Sequence, residues 1–416
     1  MPPESPVMAE QDNPMNSDLY IYTLPPRAQH YPRPEVPMLP QLDVRQLSCL
    51  RQSALSCRFT RPDVQMVSSG RIAIYYALQD IGIGKGDSVL VPAYHCGSMI
   101  EPVIWLNAIP RFFKLNSELN ADLKDLLQKT DGQCKAMIMP HFFGFQQDMT
   151  ILKSFCQQHH IKLIEDCAHS FFGQKGNVTA GTSGDYSITS NVKFFPGTEG
   201  GILAANHHPL PAQPLQQTGL TIQLKALFNL FETAAVYHKA GWAGKLFTAI
   251  TGRKTAVVNQ QVLEQYPAST QHKRKISRDK LDWFDPARIT LQPSLADRFI
   301  VRHSNCRHII DKRRQHFNYL LTQLSQLQYA RPLYTSLPEG TVPYVFPLLL
   351  NSPEQHFARL KTAGVPIWRW EELVETDCDV SQDYRLKLIQ LPCHQSLNQQ
   401  DLDWIIQVLT TTLNQW

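Results

Sequence analysis

One stretch of the chain, residues 162–206, decides the fold class; its sequence is KLIEDCAHSFFGQKGNVTAGTSGDYSITSNVKFFPGTEGGILAAN. It contains three short apolar runs, at 162–168, 185–190 and 201–206, and polar or glycine-rich residues follow the first two. Short apolar runs bounded in this way predict the strands of a buried sheet. Open α/β sheets bind their ligands where such strands end, so the polar residues after each run are candidate site residues.

The same pattern extends towards the N-terminus. Further strands are predicted at 88–94 (SVLVPAY), 110–115 (PRFFKL) and 135–144 (KAMIMPHFFG). The segments between the strands, such as RIAIYYALQDIG and DMTILKSFCQQHH, have apolar residues at helical spacing. Strands that alternate with helices in this way predict a doubly wound α/β core with a parallel sheet.

The pattern divides the chain into three parts. Residues 1–45 are rich in proline and polar residues, which predicts an extended arm. Residues 46–290 form the large α/β domain, with an irregular, aromatic-rich insertion at 207–290 that we interpret as packed on the body and not as a membrane-surface helix. Residues 291–416 contain a long basic-faced helix at 302–327 and end in a β-α-β-α pattern, so we predict a smaller C-terminal domain.

Charge and composition exclude several classes of function. The 416 residues include 40 lysines and arginines against 36 aspartates and glutamates, and a net charge of +4 is too small for a nucleic-acid-binding surface. No apolar run approaches the roughly 18 residues of a membrane span, and the first residues lack the order of a signal peptide. The nine cysteines show no CxxC spacing and no Cys/His cluster. We therefore expect a cytoplasmic protein with reduced thiols and no metal site.

Small residues lead into the first predicted helix of the core. Ser68-Ser69-Gly70-Arg71 stands directly before the helical stretch IAIYYAL. The free backbone N–H groups at a helix start can bind phosphate, and Arg71 can add a charged contact. Ser69 also suits an ordinary helix cap, so this motif has two interpretations.

A carboxylate and a lysine follow two neighbouring predicted strands. Asp166 stands near the end of the most apolar strand, where a carboxylate is either solvated or holds a protonated ring nitrogen or a metal. Lys193 follows the next strand, and Phe194-Phe195-Pro196 after it suits an apolar wall. A lysine at a strand end is usually a surface group, whereas a catalytic lysine is partly desolvated so that its amine can act as a nucleophile. The glycine-rich turn at 197–201 predicts a close backbone approach beside the lysine.

Together and in this order, these motifs resemble the DegT/DnrJ/EryC1/StrS family of sugar aminotransferases, which are fold-type I enzymes that use pyridoxal 5'-phosphate (PLP). The resemblance covers about residues 65–206, with a weaker similarity towards the C-terminus. The segments that carry it are Ser69-Gly70-Arg71-Ile72-Ala73-Ile74, Gly84-Lys85-Gly86-Asp87-Ser88-Val89-Leu90-Val91-Pro92, His141-Phe142-Phe143-Gly144 with Asp148-Met149, Ile164-Glu165-Asp166-Cys167-Ala168, and Gly184-Asp185 with Ser190, Lys193, Gly200 and Gly201. Each motif is weak alone, whereas five in register are specific.

The resemblance implies a fold and a set of residue roles. The fold is a large domain with a mostly parallel sheet of the seven-stranded type and a smaller C-terminal α+β domain. Lys193 would bind the cofactor aldehyde covalently, and Asp166 would pair with the pyridine nitrogen to keep it protonated. Gly70, Arg71 and Ser190 would hold the cofactor phosphate.

Two further cofactor contacts follow from the resemblance. His169 stands where the family commonly has a glutamine near the cofactor hydroxyl, and it can donate one hydrogen bond and titrate near pH 6.5. The aromatic ring that stacks on the cofactor usually follows the Val-Pro strand, where the candidates are Tyr94 and His95. The sequence does not choose between these two.

The chain departs from the family at two places. The glycine–asparagine–arginine segment with which many members reach the partner subunit's phosphate site is absent from 207–300, and Arg298 lies roughly where it belongs. The serine usually found shortly before the lysine is Ile188 here, so its role falls to Ser190. We therefore expect a homodimer in which Arg298 replaces the missing segment at the partner's phosphate.

The function that the resemblance implies is transfer of an amino group from an amino acid, with glutamate as the expected donor, to a keto-sugar nucleotide. Such a reaction belongs to amino-sugar, surface-polysaccharide or secondary-metabolite biosynthesis. One alternative is a dehydratase of the same family, although those resemble members with histidine in place of Lys193. Another is a PLP-binding regulator that has lost transaminase activity. Arg369 and Trp370 are candidate substrate contacts that a surface arginine and a buried tryptophan explain equally well.

Overall fold

The structure is a computed structural model that describes residues 19–23, 31–43, 57–239 and 272–414, together with residues 241, 244 and 247. Its strands are β1 (Tyr20–Thr23), β2 (Gln65–Val67), β3 (Ser88–Pro92), β4 (Ile109–Phe113), β5 (Cys134–Pro140), β6 (Lys162–Asp166), β7 (Gln174–Lys175), β8 (Val178–Thr179), β9 (Tyr186–Ser190), β10 (Gly201–Ala205), β11 (His272–Lys275), β12 (Ala330–Pro332), β13 (Val345–Leu350) and β14 (Leu388–Pro392). Its α-helices are α1 (Gly70–Ile81), α2 (Gly97–Trp105), α3 (Leu123–Lys129), α4 (Met149–Gln158), α5 (Leu220–Val236), α6 (Leu295–His303), α7 (Cys306–Leu324), α8 (Pro353–Thr362), α9 (Asp379–Lys387) and α10 (Gln399–Asn414).

A seven-stranded sheet in the order β2-β10-β9-β6-β5-β3-β4 forms the centre of the large domain. The strands from β9 to β4 in this order are parallel, and β10 is antiparallel to both of its neighbours. Apolar side chains cover both faces of the sheet. This arrangement confirms the predicted α/β fold with a mostly parallel central sheet.

The antiparallel direction of β10 brings its first residues to the edge where the parallel strands end. Gly201, at the start of β10, pairs with Ser190, at the end of β9. The residue before it, Gly200, forms a bridge with Ser69, directly before α1. The start of α1, the end of β9 and the turn before β10 therefore meet at one edge of the sheet.

The structure corrects two predicted element boundaries. The strand predicted at 135–144 ends at Pro140, because Phe143 and Gly144 have positive φ values of 59° and 97° and turn the chain. The helix predicted at 302–327 is interrupted after His303 and starts again at Cys306. Ser304 has extended backbone, and the Asn305 side chain accepts a hydrogen bond from the N–H of His308, so it caps the new helix.

A second, antiparallel sheet in the order β12-β13-β14 lies in the C-terminal part of the chain, where the sequence predicts the smaller domain. The N-terminal strand β1 pairs with β11 at the end of the predicted insertion. Most of 240–271 in that insertion, and most of the predicted arm at 1–45, lie outside the described residues. The domain boundaries at 45 and 290 stay predictions. Within the described ranges, no helix combines the length and apolar character that crossing a membrane requires.

The contact between β10 and the residue before α1 leaves no room for a side chain at Gly201. A Cβ at residue 201 would lie 2.4 Å from the carbonyl oxygen of Ser69. That oxygen belongs to the backbone, so it cannot move aside as the end of a flexible side chain could. We expect Gly201→Ala to lower the free energy of unfolding by about 1–3 kcal/mol, measured by urea denaturation. Gly84→Ala is the matched control, since no atom lies within 4 Å of its added Cβ. Equal urea midpoints for the two variants would contradict the close contact.

Candidate active site

A cavity of about 400 Å³ opens at the edge of the central sheet where the parallel strands end. The residues before α1, the end of β6, the turn after β9 and a segment at 283–288 line it. Five of the residues predicted from the sequence are among its lining residues: Gly70, Arg71, Asp166, Ser190 and Lys193. The fold thus brings together residues that lie more than a hundred positions apart in the chain.

Lys193 and Asp166 face this cavity from two neighbouring parallel strands. Asp166 is the last residue of β6, and Lys193 ends the short turn that follows β9. Burial lowers the pKa of the Lys193 amine, while Cys96 and Asp166 act in the opposite direction. Burial also raises the pKa of Asp166, and the nearby lysine and the N–H of Ala168, at 2.8 Å from its carboxylate, oppose that rise. The cavity therefore contains a desolvated amine that can be a free base and a carboxylate that can receive a positive group.

The 68–71 loop forms the second part of the cavity. The Ser69 side chain accepts a hydrogen bond from the N–H of Ile72, so it caps α1 as one interpretation of the motif predicts. At the start of the same helix, Gly70 packs closely on the end of β9, where an added Cβ would lie 3.2 Å from the Cβ of Ser190. Arg71 donates a hydrogen bond to the carbonyl of Trp283, and burial lowers its pKa. The loop places backbone N–H donors and a guanidinium on one side of the cavity.

The two candidates for a stacking ring, Tyr94 and His95, do not line the cavity. The Tyr94 ring is buried and stacked on Trp370, with centroids 5.0 Å apart. His95 is also buried, and it makes a different contact. Its Nε2 accepts a hydrogen bond from the N–H of Val374 at 3.3 Å. The predicted stacking role is therefore not supported for either ring. The next residue, Cys96, lines the cavity instead.

His169 is buried beside the cavity and does not line it. Its ring stacks on Tyr344, with centroids 4.5 Å apart, and its Nδ1 accepts a hydrogen bond from the N–H of Phe143 at 3.2 Å. Burial, with a smaller effect from the charge of Lys193, keeps the pKa of His169 well below its ordinary value. The burial of His169 therefore does not support a titration near pH 6.5. The neutral ring carries its proton on Nε2, since Nδ1 is the acceptor.

Arg298 lies on α6 and does not line the cavity of its own chain. Its guanidinium donates a hydrogen bond to the Gln292 side chain at 2.7 Å. The contact with a partner's phosphate stays a prediction. A different arginine, Arg288, lines the cavity together with Trp283.

Sequence reasoning missed several lining residues, among them Cys96, Trp283 and Arg288. Cys96 directly follows the two candidate aromatic residues, so its position in the motif was the available signal. Trp283 and Arg288 lie in the part of the chain predicted to be an irregular insertion. Their approach to the cavity depends on contacts between distant segments, which leave no periodic pattern in the sequence.

The described residues contain one buried cluster with the ligand types of a metal site: His141, Glu165 and Cys167. Its donor atoms already have partners. The His141 Nε2 bonds to Glu165 at 2.8 Å, and the Glu165 carboxylate also accepts the backbone N–H groups of residues 181, 183 and 184. These bonds lower the pKa of Glu165 against the effect of its burial. The cluster therefore holds the 181–184 loop against β6.

Comparison with known proteins agrees with this geometry. The model of the DegT/DnrJ/EryC1/StrS aminotransferase family matches residues 60–221, which include every motif residue from Gly70 to Gly201. This finding confirms the resemblance on which the site prediction rests.

Relatives and solved structures extend the comparison. The chain is 31% identical over 143 residues to a GDP-perosamine synthase from Vibrio cholerae, a match that covers 34% of this chain and 39% of that protein. It is 30% identical over 144 residues to an L-glutamine:2-deoxy-scyllo-inosose aminotransferase from Streptomyces kanamyceticus, which covers 33% of this chain and 34% of the relative. These matches thus span less than half the length of the relatives.

The likeness in fold covers more of the chain than the likeness in sequence. A putative sugar aminotransferase from Streptococcus pneumoniae, Spr1654 in its apo form, superposes with a TM-score of 0.61 at 14% identity, over 91% of this chain and 98% of that one. The aminotransferase TlmJ from Streptoalloteichus hindustanus gives a TM-score of 0.58 at 19% identity, over 84% and 86%. These structures show that the fold is that of fold-type I aminotransferases.

The desolvated position of Lys193 predicts how its amine reacts. Because burial lowers its pKa, the free amine forms at a lower pH than it does in an ordinary lysine. We expect the rate of reductive methylation of Lys193 by formaldehyde, plotted against pH, to have its midpoint below about 10.4. Peptide mass spectrometry measures this rate, and the Lys193→Ala chain identifies the peptide. A midpoint at or above the ordinary value would place the amine in water.

Proposed function

We propose that the protein is a PLP-dependent aminotransferase that moves an amino group from an amino acid to a keto-sugar nucleotide. One observation carries the proposal: Lys193 and Asp166, from neighbouring strand ends, line one cavity with the 68–71 loop. An amine, a carboxylate and a phosphate-binding helix start are the three groups that a pyridoxal phosphate site requires.

The residues in the cavity fit the cofactor. Its volume of about 400 Å³ lies within the range of small-molecule sites. Gly70 leaves the space beside Ser190 that a side chain would fill, so an anionic group can approach the start of α1. The partly desolvated amine of Lys193 is suited to bind an aldehyde, and Asp166 is suited to pair with a protonated ring nitrogen.

Each residue then has a defined part in the reaction. When bound, PLP would supply an electron sink for negative charge on the Cα of the amino donor. Lys193 would hold the aldehyde of the cofactor, and its free amine would act as the base that accepts and returns the proton of the donor's Cα. Asp166 would hold the ring nitrogen in its protonated form. Arg71 and the start of α1 would hold the phosphate and so fix the orientation of the ring.

The substrate class follows from what the relatives are called. The similar proteins include a GDP-perosamine synthase and an aminotransferase of a UDP-N-acetyl-3-dehydro-glucosamine. Both names describe nucleotide-linked sugars. We extend this class to the present chain, with glutamate as the donor; glutamine is the alternative that two other relatives name.

A homodimer is the proposed assembly. One face of α5 exposes a row of apolar side chains at helical spacing, and α6 beside it exposes two more: Leu220, Leu224, Leu227, Phe228 and Phe231, with Leu295 and Phe299. The N–H of Leu295 donates to the Gln223 side chain at 2.9 Å, which places the two helices side by side. A contiguous apolar face of this kind is typical of a subunit interface.

The proposal predicts where PLP is attached and what the attachment does. After reduction with borohydride, peptide mapping of the PLP-loaded chain should find the label on Lys193. A panel of keto-sugar nucleotides with glutamate should then give an amino-sugar nucleotide, detected by mass spectrometry. Lys193→Ala should reduce product formation to background, because no other lysine is among the described residues that line the cavity.

The exposed Lys85→Ala variant is the control and should keep the parental rate. A label on another lysine would contradict the site. A labelled Lys193 without product from any acceptor or donor would favour the regulator, and loss of a sugar hydroxyl without amination would favour the dehydratase.

A further inference from the structure

A segment of the same chain, residues 282–288, forms part of the cavity wall. Trp283, Asp285 and Arg288 of this segment line the cavity together with Lys193 and Asp166. Neither the family model, which ends at residue 221, nor the sequence motifs include this segment.

A buried carboxylate holds the segment in place. Glu101 of α2 is fully buried, and its two oxygens accept the N–H groups of three consecutive residues, 282, 283 and 284, at 3.0, 2.8 and 2.5 Å. The Trp283 ring rests on Gly97, where an added Cβ would come within 2.7 Å of it. Glu101 does not itself line the cavity, so we regard it as a positioning residue for the 282–288 segment.

Arg288 is held at both its backbone and its side chain. The hydroxyl of Ser68, in the 68–71 loop, donates to the Arg288 carbonyl at 2.8 Å. The Arg288 guanidinium pairs with Glu199, in the turn before β10. Glu199 is itself fixed by the N–H of Ser294 at 3.0 Å. Ser68 therefore holds the backbone of Arg288, and Glu199 holds its guanidinium.

Two guanidinium groups, those of Arg71 and Arg288, thus line the cavity. Besides burial, which is the main cause, the charge of Arg288 lowers the pKa of Arg71. Glu199 occupies part of the hydrogen-bonding edge of Arg288, and a guanidinium has several further N–H donors. A phosphate beside both arginines would offset their mutual repulsion.

We propose that Arg288 binds the cofactor phosphate together with Arg71 and the 68–71 loop, and that it does so from the same chain. The phosphate side of the site is then complete within one subunit. Arg288 thereby takes the role that the sequence comparison assigned to a segment from the partner or to Arg298. This inference rests on the proposed function, because it assigns a contact to PLP.

The test compares PLP with pyridoxal, which lacks the phosphate. Dissociation constants of both are measured by equilibrium dialysis for the parental chain, Arg288→Ala and Arg288→Lys. We expect Arg288→Ala to weaken PLP binding about 10- to 100-fold and to change pyridoxal binding less than about twofold. Arg288→Lys should recover part of the loss. Arg307→Ala, an exposed arginine on α7, is the matched control and should behave like the parental chain.

Glu101→Gln tests the positioning role, with the ratio of PLP affinity to pyridoxal affinity as the readout. An amide nitrogen cannot accept the N–H groups that the carboxylate accepts, so the 282–288 segment should lose part of its support. The variant should therefore lower this ratio. A merely structural role would weaken the binding of both compounds equally.

Three results would overturn the inference while leaving the proposed function intact. The first is parental PLP affinity in Arg288→Ala, and the second is an equal loss of PLP and pyridoxal affinity. The third is unchanged PLP affinity with a raised KM for the keto-sugar nucleotide, which would place Arg288 at the substrate's diphosphate. If the parental chain does not bind PLP, the proposed function fails as well.

Mixing subunits tests whether Arg288 acts within its own chain. At a PLP concentration that loads the parental chain but not Arg288→Ala, the Lys193→Ala and Arg288→Ala chains should each be inactive, and their mixture should stay inactive after proven subunit exchange. If Arg288 acts across an interface, one site of each mixed dimer would hold both intact residues and activity would return. Recovery of activity would therefore overturn the assignment to one chain.

Discussion

The backbone contact between the residues before α1 and the turn before β10 is the constraint on which the site depends. The N–H of Gly200 donates to the carbonyl of Ser68 at 2.9 Å, and the carbonyl of Gly200 accepts the N–H of Asn191 at 2.9 Å. One glycine thus joins the 68–71 loop to the turn that carries Lys193. Gly200 has a φ of 118°, which side-chain-bearing residues rarely adopt, and this explains why the turn is rich in glycine.

Burial sets the charge states around this contact. Burial pushes Lys193 and Asp166 each towards its neutral form, and each partly restores the charge of the other. The neutral His169 and the aromatic rings around it lie beside these two groups and keep the dielectric constant low. Arg71 and Arg288 line the same cavity and suit an anion. A ligand with an aldehyde, a basic ring nitrogen and a phosphate matches this division of charge.

The parts of the site that the sequence predicted are those carried by strand ends. Asp166 and Lys193 follow apolar runs, and the edge of a parallel sheet brings such residues together whatever lies between them. Tyr94 and His95 were misplaced because a strand end defines where a segment leaves the sheet but not which way each following side chain turns. Arg288 was missed because its position depends on the bonds from Glu101 to residues 282–284, and contacts over such a separation have no local sequence signal. The interruption of the predicted helix at Ser304 was missed for a different reason, since the apolar spacing continues across it.

The central claim is that Lys193 and Asp166 together make bound PLP exchange an amino group. The most direct measurement is the visible absorbance of the PLP-loaded chain during addition of glutamate, followed by a keto-sugar nucleotide, in the parental protein and in Asp166→Asn. The account predicts that glutamate bleaches the band in the parental protein, that the acceptor restores it, and that Asp166→Asn retains the cofactor but bleaches far more slowly. Bleaching at the parental rate in Asp166→Asn, or a parental band unchanged by glutamate and by glutamine, would contradict it.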